Sequence, residues 1–176
     1  MSSVAVRPMT RRDLRAVLRI ERASYPRPWS QGMFASELDP ALGRTYLVAT
    51  SAGRLVGYGG LLYVLPDAHV TTIAVDPSLR RGRVGTLLLA RLVRDAVERG
   101  ATALTLEVRV SNEAAQALYR RFGFAPAGAR KDYYPAEADA PAEDALVMWA
   151  HDIDRPAFAE RLAAIEAELL PLEATA

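Results

Sequence analysis

Two stretches of this 176-residue chain carry side chains whose types and spacing suit them to chemistry. In TLEVRVSNEAAQALYRRFGF (105–124) a carboxylate, Glu107, and a phenol, Tyr119, stand on either side of a Ser-Asn pair. A positioned carboxylate takes a proton from an attacking group. A phenol, with a pKa of about 10, gives one to a departing group. In VTTIAVDPSLRRGRVGTLLLARLV (70–93) the run Arg80-Arg81-Gly82-Arg83-Val84-Gly85-Thr86 joins an apolar strand pattern to a long apolar-striped helix pattern. The first backbone N–H groups of a helix have no partner inside it, and the helix dipole adds positive potential there. A phosphate at that turn therefore gains several hydrogen bonds. Gly82 and Gly85 let a ligand come close to the backbone, and the three arginines add local charge.

Each feature also has a plain structural explanation. In Leu104-Thr-Leu-Glu-Val-Arg-Val110 the apolar residues alternate, so Thr105, Glu107 and Arg109 share one strand face. Glu107 there reads either as a base beside a cleft or as one half of an ion pair, with Arg109 the nearest candidate. Tyr119 has Ala115, Leu118 and Phe122 at helical spacing and also reads as a core aromatic with its hydroxyl at the rim. The arginine-rich turn also reads as a solvated basic loop.

The positioning elements follow from period and punctuation. Val4–Arg7 alternates as a strand. Thr10 opens a capping-box-like helix start with Asp13 at the third position, and Leu14, Val17, Leu18 and Ile20 carry the helix to about Ser24. Pro26 and Pro28 break it, and Ser30 caps a second helix that ends before Asp39-Pro40. Strands are expected at 45–50 and 54–65, joined through Ser51-Ala52-Gly53 as a hairpin, and at 69–75. A helix at 86–99, a strand at 103–110 and a helix at 112–121 ending at Gly123 follow. Two last strands are expected at 124–129 and 143–150, with a linker at 131–142, and a further helix at 155–170 carries Phe158, Leu162, Ile165 and Leu169 on one face. Gly57-Tyr-Gly-Gly60 inside a strand pattern predicts a bulge or a close backbone approach. One βαβ crossover, from His69 through Val110, implies a mixed sheet with helices on both faces.

Composition narrows the functions. Hydrophobic residues are 51% and charged residues 24%, as in ordinary globular proteins. The net charge of +1 supplies no global field toward nucleic acid or membrane, so neither is an expected partner. There are no cysteines, which excludes a thiolate nucleophile and cysteine-held zinc. His69 and His151, the only histidines, are far apart and are expected to be structural, so no metal site is expected. No apolar run approaches the length of a membrane span, and a cytoplasmic protein is expected.

Taken together, these pieces resemble the GNAT acetyltransferases, and among them the RimI-type enzymes that acetylate protein N-termini. The likeness covers residues 4–150 and rests on IERASYPRPWS, the Val-Asp-Pro strand end with its Arg-Gly turn, LEVRVSNEAAQALYRRFGF, and Tyr133-Tyr134-Pro135 followed by Glu143-Asp144-Ala145. The family's Arg/Gln-x-x-Gly-x-Gly/Ala motif is met by Arg80-x-x-Arg83-x-Gly85, with Arg83 where the first glycine usually stands. Arg83 keeps its N–H donor, and its side chain is expected to turn outward.

The resemblance implies a GNAT α/β fold, a central mixed and mostly antiparallel sheet flanked by helices. A GNAT domain is expected over 1–152, and the apolar periodicity beyond it marks a C-terminal helical extension over 153–176. The resemblance also implies acetyl-CoA as co-substrate, no metal, and direct transfer to the α-amine of a protein N-terminus, ribosomal protein S18 being the family's named acceptor. By the same likeness Ile73, Ala74 and Val75 lie along the pantetheine arm, with a backbone N–H near Ala74 and Val75 aimed at the thioester carbonyl. Arg81 to Thr86 hold the pyrophosphate, Arg80 is a further cofactor-binding residue, and Asn112 contacts CoA. Glu107 is the general base and Tyr119 the general acid, while Tyr25, Trp29, Tyr133 and Tyr134 form the acceptor groove. A free α-amine, with a pKa of about 7.7–8.0 against about 10.4 for lysine, is the easier amine to deprotonate near neutrality. The rival readings are a GNAT enzyme for lysine or a small amine, and a CoA-binding module without catalysis. A monomer or weak dimer is expected.

Overall fold

The computed structural model describes residues 3–173; residues 1–2 and 174–176, which the expected domain and extension include, lie outside the described residues. Seven strands form one sheet: β1 (Val4–Pro8), β2 (Arg44–Ser51), β3 (Arg54–Val64), β4 (Asp67–Val75), β5 (Ala103–Arg109), β6 (Ala125–Tyr134) and β7 (Glu143–His151). Their spatial order is β1-β2-β3-β4-β5-β7-β6, and every neighbouring pair is antiparallel except β4–β5. The helices are α1 (Leu14–Ser24), α2 (Gln31–Glu37), α3 (Val84–Glu98), α4 (Glu113–Arg121) and α5 (Pro156–Glu173). This is the expected α/β architecture.

Local chemistry explains most boundaries. Asp13 accepts from the Thr10 N–H at 2.8 Å, and a 3-10 turn over Arg11–Asp13 leads into α1. Ser30 accepts from the Met33 N–H and caps α2. Ala52 and Gly53 have φ of +49° and +74°, the paired positive φ that a two-residue hairpin needs. β6 runs five residues beyond the expected Ala129. A register shift between Arg130 and Tyr134, with Asp132 at φ +50°, lets the polar 131–134 segment continue the strand through a bulge.

The glycines of β3 act through close approach. The β3–β4 register shifts between Gly60 and Leu61. A Cβ on Gly59 would stand 2.9 Å from Leu92 Cδ1, and one on Gly57 would stand 3.0 Å from Leu88 Cδ1. Bare backbone here lets α3 seat its leucines directly on the sheet. That face holds the main core, with Leu87, Leu88, Leu92, Leu104, Leu106 and Met148 all buried. Phe158, Leu162, Ile165 and Leu169 of α5 are buried in the same core. On the opposite face α1 and α2 cover a second cluster that includes Leu14, Val17, Ile20, Phe34, Tyr46 and Tyr58.

The feature that shapes the site is how briefly β4 and β5 pair. Only Asp67↔Ala103, Ala68↔Leu104 and His69↔Thr105 are in register. Beyond those pairs the two parallel strands part, and the middle of the sheet opens.

Candidate active site

The gap between β4 and β5 joins two cavities. One, of about 320 Å³, lies against the Tyr25–Trp29 loop and the Tyr133–Glu137 segment. The other, of about 210 Å³, runs from Ala74 and Val75 past Gly85 to Asn112 and Leu118. Tyr25, Ile73, Glu107, Arg109, Tyr119 and Tyr134 line both. The carboxylate and the phenol singled out in the sequence thus stand where the two cavities meet.

Glu107 is held by partners the sequence reading did not assign to it. Its Oε2 lies 2.6 Å from His69 Nε2, and its Oε1 lies 3.2 Å from Arg130 Nε. The ion pair with Arg109 does not form. Arg109 instead binds Glu143 at 3.0 Å and stacks over the Tyr134 ring at 4.0 Å, because the β5–β7 register brings Glu143 to the end of β5. His69 was expected to be structural, yet it touches the carboxylate at the centre of the site. It pairs with Thr105, whose side chain shares a face with Glu107, and the sequence carries no signal for that parallel register.

Tyr119 is buried at 6% exposure on α4, against the Phe124 ring. Burial raises its pKa above the ordinary phenol value, so the hydroxyl keeps its proton at neutral pH. Tyr134, raised mainly by burial, is pushed up to about 12.

Along β4 the Tyr25 hydroxyl donates to the Ile73 carbonyl at 2.9 Å, so the backbone groups of Ile73 face away from β3. The Asp76 N–H donates to Val56 on β3 at 2.8 Å. By the two-residue period Ala74 also points at β3, while Ile73 and Val75 turn toward the gap. The donor at this end of the strand is the Val75 N–H rather than that of Ala74.

The Arg-Gly turn divides its residues between roles. Arg81 and Arg83 have φ of +74° and +61°, and the first helical bond runs from the Leu87 N–H to the Arg83 carbonyl. The N–H groups of Val84, Gly85 and Thr86 precede that bond. Left-handed residues leading into right-handed ones form a concave nest of N–H donors suited to an anion. The Gly82 N–H is instead used within the turn, on the Leu79 carbonyl at 3.1 Å. The side chains of Val84 and Thr86 are buried, Arg80 and Arg81 are exposed, and only Gly85 of this run lines the cavity. Arg83 reaches the Glu168 carbonyl of α5 at 3.0 Å. An arginine thus adopts the backbone conformation usually left to glycine, and α5 draws its side chain out of the turn. Asn112 caps α4 by accepting from the Ala115 N–H at 3.1 Å, and it lines the same cavity as Gly85.

The four aromatics expected at the acceptor groove all line the larger cavity. The Trp29 ring packs on Phe34 at 5.2 Å, and the Trp29 backbone N–H donates to Glu21 Oε1 at 2.8 Å. Glu21, which the sequence reading passed over, is buried at 3% exposure, accepts from Tyr58, and lines the same cavity. Its position on the apolar stripe of α1 is the one signal that could have found it. Among the described residues no cluster of three metal-ligating side chains occurs, and no helix is long and apolar enough to cross a membrane.

Residues 14–124, well over half the chain, match the model of the acetyltransferase (GNAT) family. The chain belongs to the GNAT family. It is 39% identical over 138 residues to the ribosomal protein bS18-alanine N-acetyltransferase of Escherichia coli (strain K12), covering 77% of this chain and 89% of that protein. A Bacillus subtilis (strain 168) protein given the same name provisionally is 41% identical over 148 residues, covering 84% and 95%. The crystal structure of the ribosomal-protein-S18-alanine N-acetyltransferase from Escherichia coli superposes with a TM-score of 0.77 at 35% identity, covering 85% of this chain and 94% of that one. The GNAT fold and the N-acetyltransferase class expected from the sequence both hold.

Proposed function

We propose that this GNAT enzyme moves the acetyl group of acetyl-CoA directly to the α-amino group of a protein N-terminus, its acceptor being ribosomal protein bS18, for which its relatives are named. The observation that carries the reading is the meeting of two cavities at Glu107 and Tyr119. One cavity ends at a nest of helix N–H groups suited to a diphosphate, and the other is rimmed by aromatics suited to a peptide. Acetyl-CoA supplies a thioester, an acetyl carbon already primed for attack. The N–H groups of the α3 first turn hold the pyrophosphate. Ile73, Ala74 and Val75 flank the pantetheine, and Asn112 contacts the carrier.

In the transfer, Glu107 takes the proton of the amine as its nitrogen bonds to the acetyl carbon, while His69 and Arg130 fix the carboxylate. The Val75 N–H donates to the carbonyl oxygen as charge gathers there. Tyr119, which burial keeps protonated, gives its proton to sulfur as the carbon–sulfur bond breaks. With no cysteine in the chain, a cysteine-bound acetyl intermediate is excluded, and direct transfer is the economical route. The replaced glycine is compatible with turnover, since Arg83 is tied to α5 and leaves the nest clear.

Steady-state rates with three acceptor sets test the proposal: peptides bearing the bS18 N-terminus, N-blocked lysine peptides, and polyamines. Turnover confined to free N-termini is expected. Turnover confined to lysine or polyamine overturns it, and tight acetyl-CoA binding without turnover of any amine overturns the enzymatic reading.

A further inference from the structure

A near-neutral chain conceals a strongly segregated surface. Arg12, Arg15, Arg19 and Arg22 follow one another at intervals of three and four residues through the 3-10 turn and α1, so they share one helix face. All four are exposed, and together they line a shallow depression completed by Ala16 and Ala23. Elsewhere most arginines reach a carboxylate, as Arg27 does on Glu137, Arg109 on Glu143 and Arg121 on Glu168. Among the described residues Arg12, Arg15 and Arg22 make no ion pair, and Arg19 has only Asp76, at 3.7 Å. The acidic residues nearest this face are spent: Asp13 is held by Arg7, and Glu21 is buried beneath Trp29 and Tyr58. Arg54 adds its charge near Asp76, beside Arg19.

The arrangement opposes the needs of the helix. Like charges three and four apart repel. Arg15 in the first turn of α1 also opposes the helix dipole, an effect that Asp13 at the N-cap offsets in part, whereas Arg22 in the last turn suits it. A local rule broken without a local gain marks a surface kept for an external partner.

We propose that this face binds the phosphate backbone of duplex RNA. Guanidinium groups bind phosphate bidentately, and four along one helix face match a row of phosphates. No aromatic side chain lines the depression, so the surface offers charge rather than a platform for stacked bases. A membrane fits less well, because the apolar residues of α1, namely Leu14, Val17, Leu18 and Ile20, are buried and leave nothing to insert. The choice of RNA among nucleic acids rests on the ribosomal-protein acceptor proposed above; the phosphate-binding face itself does not. Such a surface would bring the enzyme to an acceptor already beside RNA, and the overall charge of +1 gives no hint of it.

Fluorescence anisotropy with a labelled 20-base-pair RNA duplex, titrated with the full chain at several salt concentrations, tests this without any acetylation step. Four neutralised phosphates predict a slope of log K against log salt of about −3.6. The triple variant Arg12→Gln, Arg15→Gln, Arg22→Gln, which spares Arg19, should flatten the slope to about −0.9. It should keep wild-type kcat and KM on a short N-terminal peptide and melt no lower than wild type. Absence of RNA binding at low salt, an unchanged slope in the triple variant, or equal competition by polyglutamate or phosphatidylserine vesicles overturns the proposal. A lower melting temperature in the variant overturns it too, by assigning the arginines a structural task. Failure of peptide acetylation bears on the proposed function and leaves this titration unaffected.

Discussion

The two faces of the sheet are built from different materials. Beneath α3 and α5 the contacts are mostly aliphatic, from Leu87, Leu88, Leu92, Leu104 and Met148, with Phe122, Phe124 and Phe158 beside them. Beneath α1 and α2 the packing is aromatic and wired by hydrogen bonds. Tyr58 donates to the buried Glu21, and Tyr46 donates to Glu37 at 2.9 Å. Desolvating a carboxylate is costly unless donors replace its water, and here the Tyr58 hydroxyl and the Trp29 N–H do so. Burial and Glu21 hold the Tyr58 phenol well above its ordinary pKa, so it remains a donor. The mostly aliphatic face seats α3, and with it the N–H groups of its first turn, on the sheet. On the aromatic face the buried Glu21 ties the Tyr25–Trp29 loop to the rim of the larger cavity.

The sharpest break between chemistry and stability falls at the gap. Glu107→Gln removes a proton acceptor and keeps the shape of the side chain. It should lower kcat by about 10²- to 10⁴-fold, with the melting temperature and acetyl-CoA affinity near wild type. An equal loss of acetyl-CoA affinity would show that Glu107 serves binding rather than proton transfer. Leu92→Ala probes the other side of the comparison. It empties a fully buried site against Gly59 and should cost about 2–5 kcal/mol in urea unfolding, with kcat per folded molecule unchanged. A fall in kcat without a fall in stability would erase the distinction between the faces.

How much of this was legible in the sequence divides along the same line. Local signals gave the elements: the Ser30 cap, the hairpin at Ala52-Gly53, the crossover helix and the apolar stripe of α5 all appear within a residue or three of expectation. Glu107 and Tyr119 were legible because strand alternation and the resemblance to GNAT enzymes both point to them. His69 and Arg130 were not, since each meets Glu107 only through a strand register that no local pattern encodes. The splay of β4 from β5 was hidden for the same reason. Residues 131–134 have the composition of a linker, and the bulge that keeps them in β6 leaves no trace in the local pattern.

A smaller effect tests whether the wired face really positions the loop. Glu21→Gln leaves one amide oxygen to serve two donors and sets its NH2 group against them. A loss of about 1–3 kcal/mol is expected, together with a higher KM for peptide and a nearly unchanged kcat. If KM stays put while stability falls, Glu21 is a structural acid and the loop is held by Trp29 packing alone.

The smallest expected effect lies where the α1 face also contributes stability, at the junction of β1 and α1. Arg7 forks onto Asp13 at 2.7 and 2.8 Å, and Thr10 donates to the same carboxylate. The Arg7 hydrogen bonds come first among the causes that hold the Asp13 pKa at about 2, below its ordinary 3.8. A depressed folded pKa means the charged form is the one stabilised. The contribution is therefore complete above about pH 4 and is lost as pH falls through the folded value near 2. Because Arg7 is half-exposed, solvent screening reduces the linkage value to about 1–2 kcal/mol. Urea unfolding of wild type and Asp13→Asn should differ by that amount at pH 6, by less at pH 3, and hardly at all near pH 2. A difference that stays constant across that range would assign the stabilisation to the capping geometry of Thr10 rather than to charge.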